Sequence, residues 1–252
     1  NFWSHCLGPF DDDTAWLRLI TYYKRSTQAR PVPWAHREAI EPIARSYHDR
    51  YGDRRDPVRL ADHFYTLYAQ KEGFETYLCK DIWLHHFALE IALALPDARF
   101  IHLVRDPRDV AASQKSRPFG GQNVQHLIRD WKDQTDQMMR LVQDTVLSER
   151  SLRIRYEDLI ADQDGVISDL LAALSLSEAA GAGTKGTAIP THFHEWKNLD
   201  KPVMTGNAGK FRSVLSAREV DMAEAEAWHT MQALGYTPQA SQRPTPHVLA
   251  LQ

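Results

Sequence analysis

The sequence is poor in cysteine: Cys6 and Cys79 are the only two in 252 residues. Two thiols cannot build a disulfide framework, and theirs is not metal-ligand spacing, so they read as buried thiols of a reducing compartment. No apolar run approaches the ~20 residues that cross a bilayer. No signal-peptide pattern is present either, although Asn1 is not an initiator methionine and a leader or anchor before it stays open. A cytoplasmic location is the expectation. Neither sign of charge is in excess: 30 Lys and Arg against 33 Asp and Glu give a formal net charge of −3. Nothing global draws such a chain to nucleic acid or anionic lipid, and any recognition of phosphate has to be local. The phosphate-cradling pattern GxxxxGK[ST] is missing, as is a carboxylate placed after a strand for Mg²⁺, which disfavours an ATP-using P-loop kinase.

What is present suits one soluble α/β domain over residues 1–252, with 43% hydrophobic and 25% charged residues and a frayed tail over 239–252. The chain is organised around Phe100 to Ser113. Phe100–Val104 is a short apolar run that reads as a buried parallel strand, and it stops at Arg105. Asp106 then suits a helix cap, and Pro107 suits the first helical position. Arg105 is thereby placed at the carboxyl end of a strand beside a helix start, where open α/β sheets bind ligands and anions meet free N–H groups. Ser113 and Arg117, four apart, share one face of that helix. Two guanidinium forks and a hydroxyl on one small region read as a phosphate site.

Before this stretch the text is helical and amphipathic: Trp16, Leu17, Leu19 and Ile20 mark one segment, Ile40, Ile43, Ala44 and Tyr47 a second, and Leu60, Phe64, Leu67 and Tyr68 a third. Asp11 to Asp13 read as an acidic helix cap rather than a metal site. Thr76–Cys79 reads as a second strand ending at Lys80, with a helix from Ile82 to Leu95 completing a βαβ unit, so that Lys80 and Arg105 would end neighbouring strands. His85 and His86 on that helix read as packing or surface residues. After it, Val124, Ile128, Trp131, Thr135, Met138, Val142 and Val146 predict one long packed helix. Ser151–Arg155 predicts a third strand, and Tyr156 opens a short helix at its carboxyl edge, where an aromatic ring can meet a purine.

A helix is expected from Gly165 to Leu176. Gly181 to Gly186 matches GxGxxG, but with no strand before it and no apolar helix after it the match reads as a flexible connector. The long basic segment from Ile189 to Phe211, with His192, His194, Lys197, Lys201 and Lys210, reads as a lid or binding loop. Ser216 caps a last helix that Gly235 ends.

With Arg105 and Ser113 eight apart at a strand-to-helix turn, Tyr156 opening YEDL, Lys210 in GKF, YLCKD ending at Asp81, and Lys201-Pro202-Val203, the sequence resembles sulfotransferases that use 3′-phosphoadenosine 5′-phosphosulfate. Within them it is most similar to the tyrosylprotein sulfotransferase branch and its bacterial relatives, from about Tyr77 to Tyr236. The resemblance implies a P-loop-NTPase-like fold, a central parallel sheet flanked by helices, with the first strand and the phosphosulfate loop expected before Asn1. It implies that Arg105, Ser113, Arg117 and Tyr156 hold the nucleotide, that Lys201 and Lys210 close over its phosphates, and that Lys80 stabilises charge during transfer. The co-substrate would be the phosphosulfate donor, without a metal, and the acceptor a hydroxyl on a small molecule or a peptide tyrosine. A homodimer is compatible with this. No general base is assigned; Asp81 and His5 are remote candidates. The competing reading is a relative that keeps the nucleotide pocket without the chemistry.

Overall fold

The computed structural model describes residues 12–28, 40–80, 84–115, 123–144, 146–176 and 205–245. The chain divides into two compact units, residues 1–97 with 181–200, and 98–180 with 201–252.

In the first unit the three predicted amphipathic segments form α1 (Asp13–Gln28), α2 (Ile40–Tyr51) and α3 (Pro57–Lys71), followed by a 3-10 turn (Leu84–Phe87) and α4 (Ala88–Ala94). Trp16, Leu19, Ile20, Ile43, Tyr47, Leu60 and Phe64 make its core, while Leu17, expected on the same face, is 42% exposed. Local chemistry explains the helix starts. The Asp12 carboxylate accepts from the Ala15 amide at 2.7 Å, so Asp12 acts as a cap. At α3, Asp56 accepts from the Val58 amide and Pro57 follows it, a proline placed where no N–H is needed.

The predicted strand Thr76–Cys79 is not one: those residues have no regular secondary structure and are not part of the β1–β2 sheet. Tyr77 and Cys79 face a helix instead. Tyr77 donates to Asp62 at 2.6 Å and stacks on Tyr65, and Cys79 lies 3.2 Å from the Tyr65 hydroxyl. Leu78 between them is 76% exposed, which no buried parallel strand allows. Cys79, expected to be buried, is a half-buried free thiol.

The second unit holds the sheet. β1 (Phe100–Val104) pairs in parallel with β2 (Ser151–Arg155), with Phe100 opposite Ser151 and Val104 opposite Arg155. Between them run α5 (Pro107–Lys115) and α6 (Val124–Asp144); after β2 come α7 (Tyr156–Ala161) and α8 (Gln163–Ala173), then a 3-10 turn (Thr205–Asn207), α9 (Phe211–Val214) and α10 (Ala217–Ala233). Val104, Ala111, Ala112, Val124, Ile128, Phe211, Val220 and Met231 belong to one core. β1 is less buried than expected, since Leu103 is 53% exposed. The packed stripe of α6 also stops early, because the helix ends at Asp144 and Val146 is exposed in the turn beyond.

The start and stop of α10 follow the sequence signals. Ser216 and Glu219 form a reciprocal capping box. At the other end the amides of Gly235 and Tyr236 bond the carbonyls of Gln232 and Met231, a Schellman closure that needs the left-handed φ of +77° held by Gly235. The described part of the tail, to residue 245, packs on α10. The Gln239 and Ala240 amides donate to the Glu224 carboxylate at 2.7 and 3.0 Å, and Arg243 donates to the Ala225 carbonyl. A buried carboxylate that needs partners holds the strap down.

Candidate functional site

The turn Arg105-Asp106-Pro107-Arg108-Asp109 joins β1 to α5, and each of its charged residues has a different task. Asp106 is the helix cap: its Oδ1 accepts from the Arg108 amide at 2.9 Å. The same carboxylate takes the Arg108 side chain through Nε and Nη2 at 3.0 and 2.6 Å. Arg108 then reaches Glu224 with Nη1 at 2.6 Å and the Thr237 carbonyl with Nη2. Arg108 is 3% exposed and Glu224 is fully buried. Burial opposes the charge on Arg108, but the hydrogen bonds and attraction from Asp106 and Glu224 outweigh it and hold the guanidinium more firmly protonated than usual. Its carbon also lies 4.3 Å from the Phe211 ring centroid.

Asp109, 1% exposed, accepts from the Gly209 amide at 2.6 Å and the Phe211 amide at 2.9 Å. One α5 carboxylate thus grips the backbone on both sides of Lys210.

Arg105 points to the end of β2. Because Val104 is opposite Arg155, the next residues, Arg105 and Tyr156, leave the two paired strands side by side. The Arg105 guanidinium carbon is 4.6 Å from the Tyr156 ring centroid. Asn207 closes the group: its carbonyl accepts from Arg105 Nη2 at 2.7 Å and its side-chain amide donates to the Tyr156 hydroxyl at 2.7 Å. The Nε of Arg105 is buried and has no hydrogen-bond partner among the described residues. Glu157 ties the two strand ends together, accepting from the Asp106 amide with one oxygen and from the Tyr236 hydroxyl with the other, both at 2.9 Å.

Of the residues predicted from sequence, the structure therefore gathers Arg105 and Tyr156 around Asn207, three positions before the exposed Lys210. Ser113 is half-buried on α5. Lys80 belongs to the first unit, is exposed, and follows an irregular segment packed on α3 rather than a sheet strand. Arg117 and Lys201 lie outside the described residues, as do Asp81, His5, the glycine-rich 181–186 stretch and the loop from 189 to 204. Among the described residues no group of three or more His, Cys, Asp or Glu could hold a metal, and no helix is long and apolar enough to cross a membrane.

Sequence reasoning missed Asn207, Asp109, Arg108, Glu157 and Glu224. Only Glu224 had a usable signal: Val220, Ala223, Glu224, Ala227 and Met231 follow the i, i+3, i+4, i+7 spacing of a buried helix face, and a lone carboxylate on such a face demands a buried cation.

Helices around a small parallel sheet, with Arg105 and Tyr156 at its carboxyl edge, make an α/β arrangement with which a P-loop-like fold is consistent. A structure of this kind, the sulfotransferase domain from the Synechococcus PCC 7002 olefin synthase, superposes with a TM-score of 0.58 at 18% identity, covering 93% of this chain and 79% of that one. The family model described as "Sulfotransferase family" matches residues 12–179, and the chain belongs to that family. No curated protein matches.

Proposed function

We propose that this chain transfers a sulfuryl group from 3′-phosphoadenosine 5′-phosphosulfate to an acceptor hydroxyl. The observation that carries the reading is the meeting of Arg105, Tyr156 and Asn207 at the carboxyl ends of two paired strands, in a chain of the sulfotransferase family. The donor fits what is there. Arg105 is only half-buried, so its guanidinium can donate to a phosphate oxygen, and a charge-assisted bond of that kind is about twice as strong as a neutral one. Tyr156 supplies an aromatic ring and a hydroxyl for an adenosine.

Arg105, with Ser113 and Arg117 further along, would hold the 3′-phosphate; Lys210 and Lys201 would approach the phosphates from the basic segment. When bound, the donor supplies the sulfuryl group, whose sulfur exchanges its bond to the bridging phosphate oxygen for one to the acceptor oxygen while the acceptor proton is released. The residues of the chain supply position and charge, the two largest contributions to in-line transfers of this type. The acceptor class is a hydroxyl compound, with peptide tyrosine suggested by the tyrosylprotein branch; fold kinship is a weak guide to substrate.

Calorimetric titration with 3′,5′-diphosphoadenosine and with ATP, followed by transfer of radiolabelled sulfate from the donor to phenolic and peptide acceptors, tests the reading. Tighter binding of the diphosphoadenosine together with transfer supports it. Tighter binding of ATP overturns it, and diphosphoadenosine binding without transfer to any acceptor favours the non-catalytic relative.

A further inference from the structure

We propose that Asp109 is a positioning residue that sets the place of Lys210 through the backbone, an inference that rests on the nucleotide role given above to Lys210. Gly209 has a left-handed φ of +75°, and Lys210 after it is right-handed helical at φ −60° and ψ −25°. Neighbouring residues of opposite hand turn their N–H groups toward one concave point, a nest that favours an anion. Here the anion belongs to the protein: Asp109 accepts from the Gly209 amide with Oδ2 and from the Phe211 amide with Oδ1.

Three features make this more than a packing contact. Asp109 is 1% exposed, so its charge needs partners and the amides are the ones it has chosen. It stands at the third position of α5, in the turn that begins with Arg105, where the helix end stabilises a negative charge. And the clamped segment is tied a second time, at Asn207, to Arg105 and Tyr156. The helix that starts beside Arg105 therefore fixes the backbone that carries Lys210. Lys210 itself is exposed, with a long flexible side chain, and a rigid base shortens the range that its ammonium must search.

The test is a double-mutant cycle on the full chain, read as affinity for 3′,5′-diphosphoadenosine with thermal unfolding recorded alongside. Asp109→Asn keeps the size but presents an NH₂ to one of the two amides. It is expected to weaken binding about tenfold, equivalent to ~1.4 kcal/mol, and Lys210→Ala made in that background is expected to cost far less than it does in the wild type. A purely structural Asp109 would lower the unfolding midpoint and leave the two losses multiplying in full; that outcome, or an affinity within about twofold of wild type for Asp109→Asn, overturns the proposal. Gly209→Ala provides the same test without touching the buried carboxylate, because a Cβ at positive φ strains the nest. The same non-additivity with Lys210→Ala is expected there too, and full additivity sinks the clamp. A wild-type chain that fails to bind the diphosphoadenosine overturns the parent reading and this inference with it. Binding by the wild type with additive losses overturns the clamp alone.

Discussion

Arg105 and Tyr156 leave two hydrogen-bonded strands at the same level, and the guanidinium carbon of one stands 4.6 Å from the ring centroid of the other. Arg105→Ala removes the fork that the proposed 3′-phosphate would meet, at a cost of ~1.5–3 kcal/mol and hence tenfold or more in the dissociation constant of 3′,5′-diphosphoadenosine. Arg105→Lys keeps the charge but not the planar fork, and is expected to recover only part of the affinity. A dissociation constant unchanged in both variants would remove Arg105 from the site.

Glu224 on α10 answers Arg108 at 2.6 Å and also collects the amides of Gln239 and Ala240. Breaking a buried pair by removing one partner costs ~3–5 kcal/mol, since the other charge is left buried. Glu224→Ala leaves Arg108 its two bonds to Asp106 and should therefore lower the unfolding free energy by up to about that much, read as a lower urea midpoint, and loosen the strap over 237–243. Amide exchange at residues 239 and 240 checks the second part. Rapid exchange should appear there under conditions where α10 is still protected; equal protection in variant and wild type would show that the strap is held by something else.

Two carboxylates of the second unit link stability to acid. Burial opposes the charge on Glu219, but the hydrogen bonds from Lys115 and Ser216 outweigh it and hold its carboxyl below its ordinary value of 4.5. Asp136 is held below 3.8 in the same way, with Thr230 and Lys132 prevailing over burial. Because both folded-state values are depressed, their contributions are complete above the unfolded values and fade as pH falls through the folded ones. Glu219→Gln, which also weakens the capping box, should cost ~1 kcal/mol near neutrality. Urea midpoints taken from pH 7 down to pH 3 should show the gap between variant and wild type closing below about 4.5. A gap that is constant across this range would exclude the linkage.

How much of this could be read in advance depended on the distance over which each feature is encoded. The Asp106-Pro107 cap, the alternating Ser151–Arg155 strand and the Ser216–Glu219 box are written within a few residues of themselves, and the structure has them where the pattern places them. Thr76–Cys79, read as a strand, packs its Tyr77 and Cys79 on α3 instead: strand-like residues in a short run do not say whether a strand or a helix covers them. The site was legible in Arg105 and Tyr156, which end strands, and not in Asn207 or Asp109, whose contacts lie 51 to 102 residues away along the chain. Nothing local marks Arg108 as buried, since its partner Glu224 is 116 residues on.

The first unit carries a test of its own in its phenols. Asp62 accepts from both Tyr51 and Tyr77, and burial first, then the hydrogen bond and charge of Asp62, push both hydroxyls well above the usual value of 10. Burial chiefly, with smaller repulsions from Tyr22 and Asp56, pushes Tyr23 up to about 12. A phenol raised in the folded state stabilises fully below pH 10, where both states are protonated, and its contribution is lost as pH rises toward the folded value, because the unfolded chain ionises first. An alkaline titration followed at 295 nm should therefore show these tyrosines ionising late and together with unfolding. Tyr77→Phe removes one of the late phenols and leaves Asp62 with Tyr51 and the nearby Arg50. Its unfolding above pH 10 should be less steep in pH than that of the wild type, at some loss of stability near neutrality from the missing hydrogen bond. If the two steepnesses are equal, Tyr77 is not among the groups that resist ionisation.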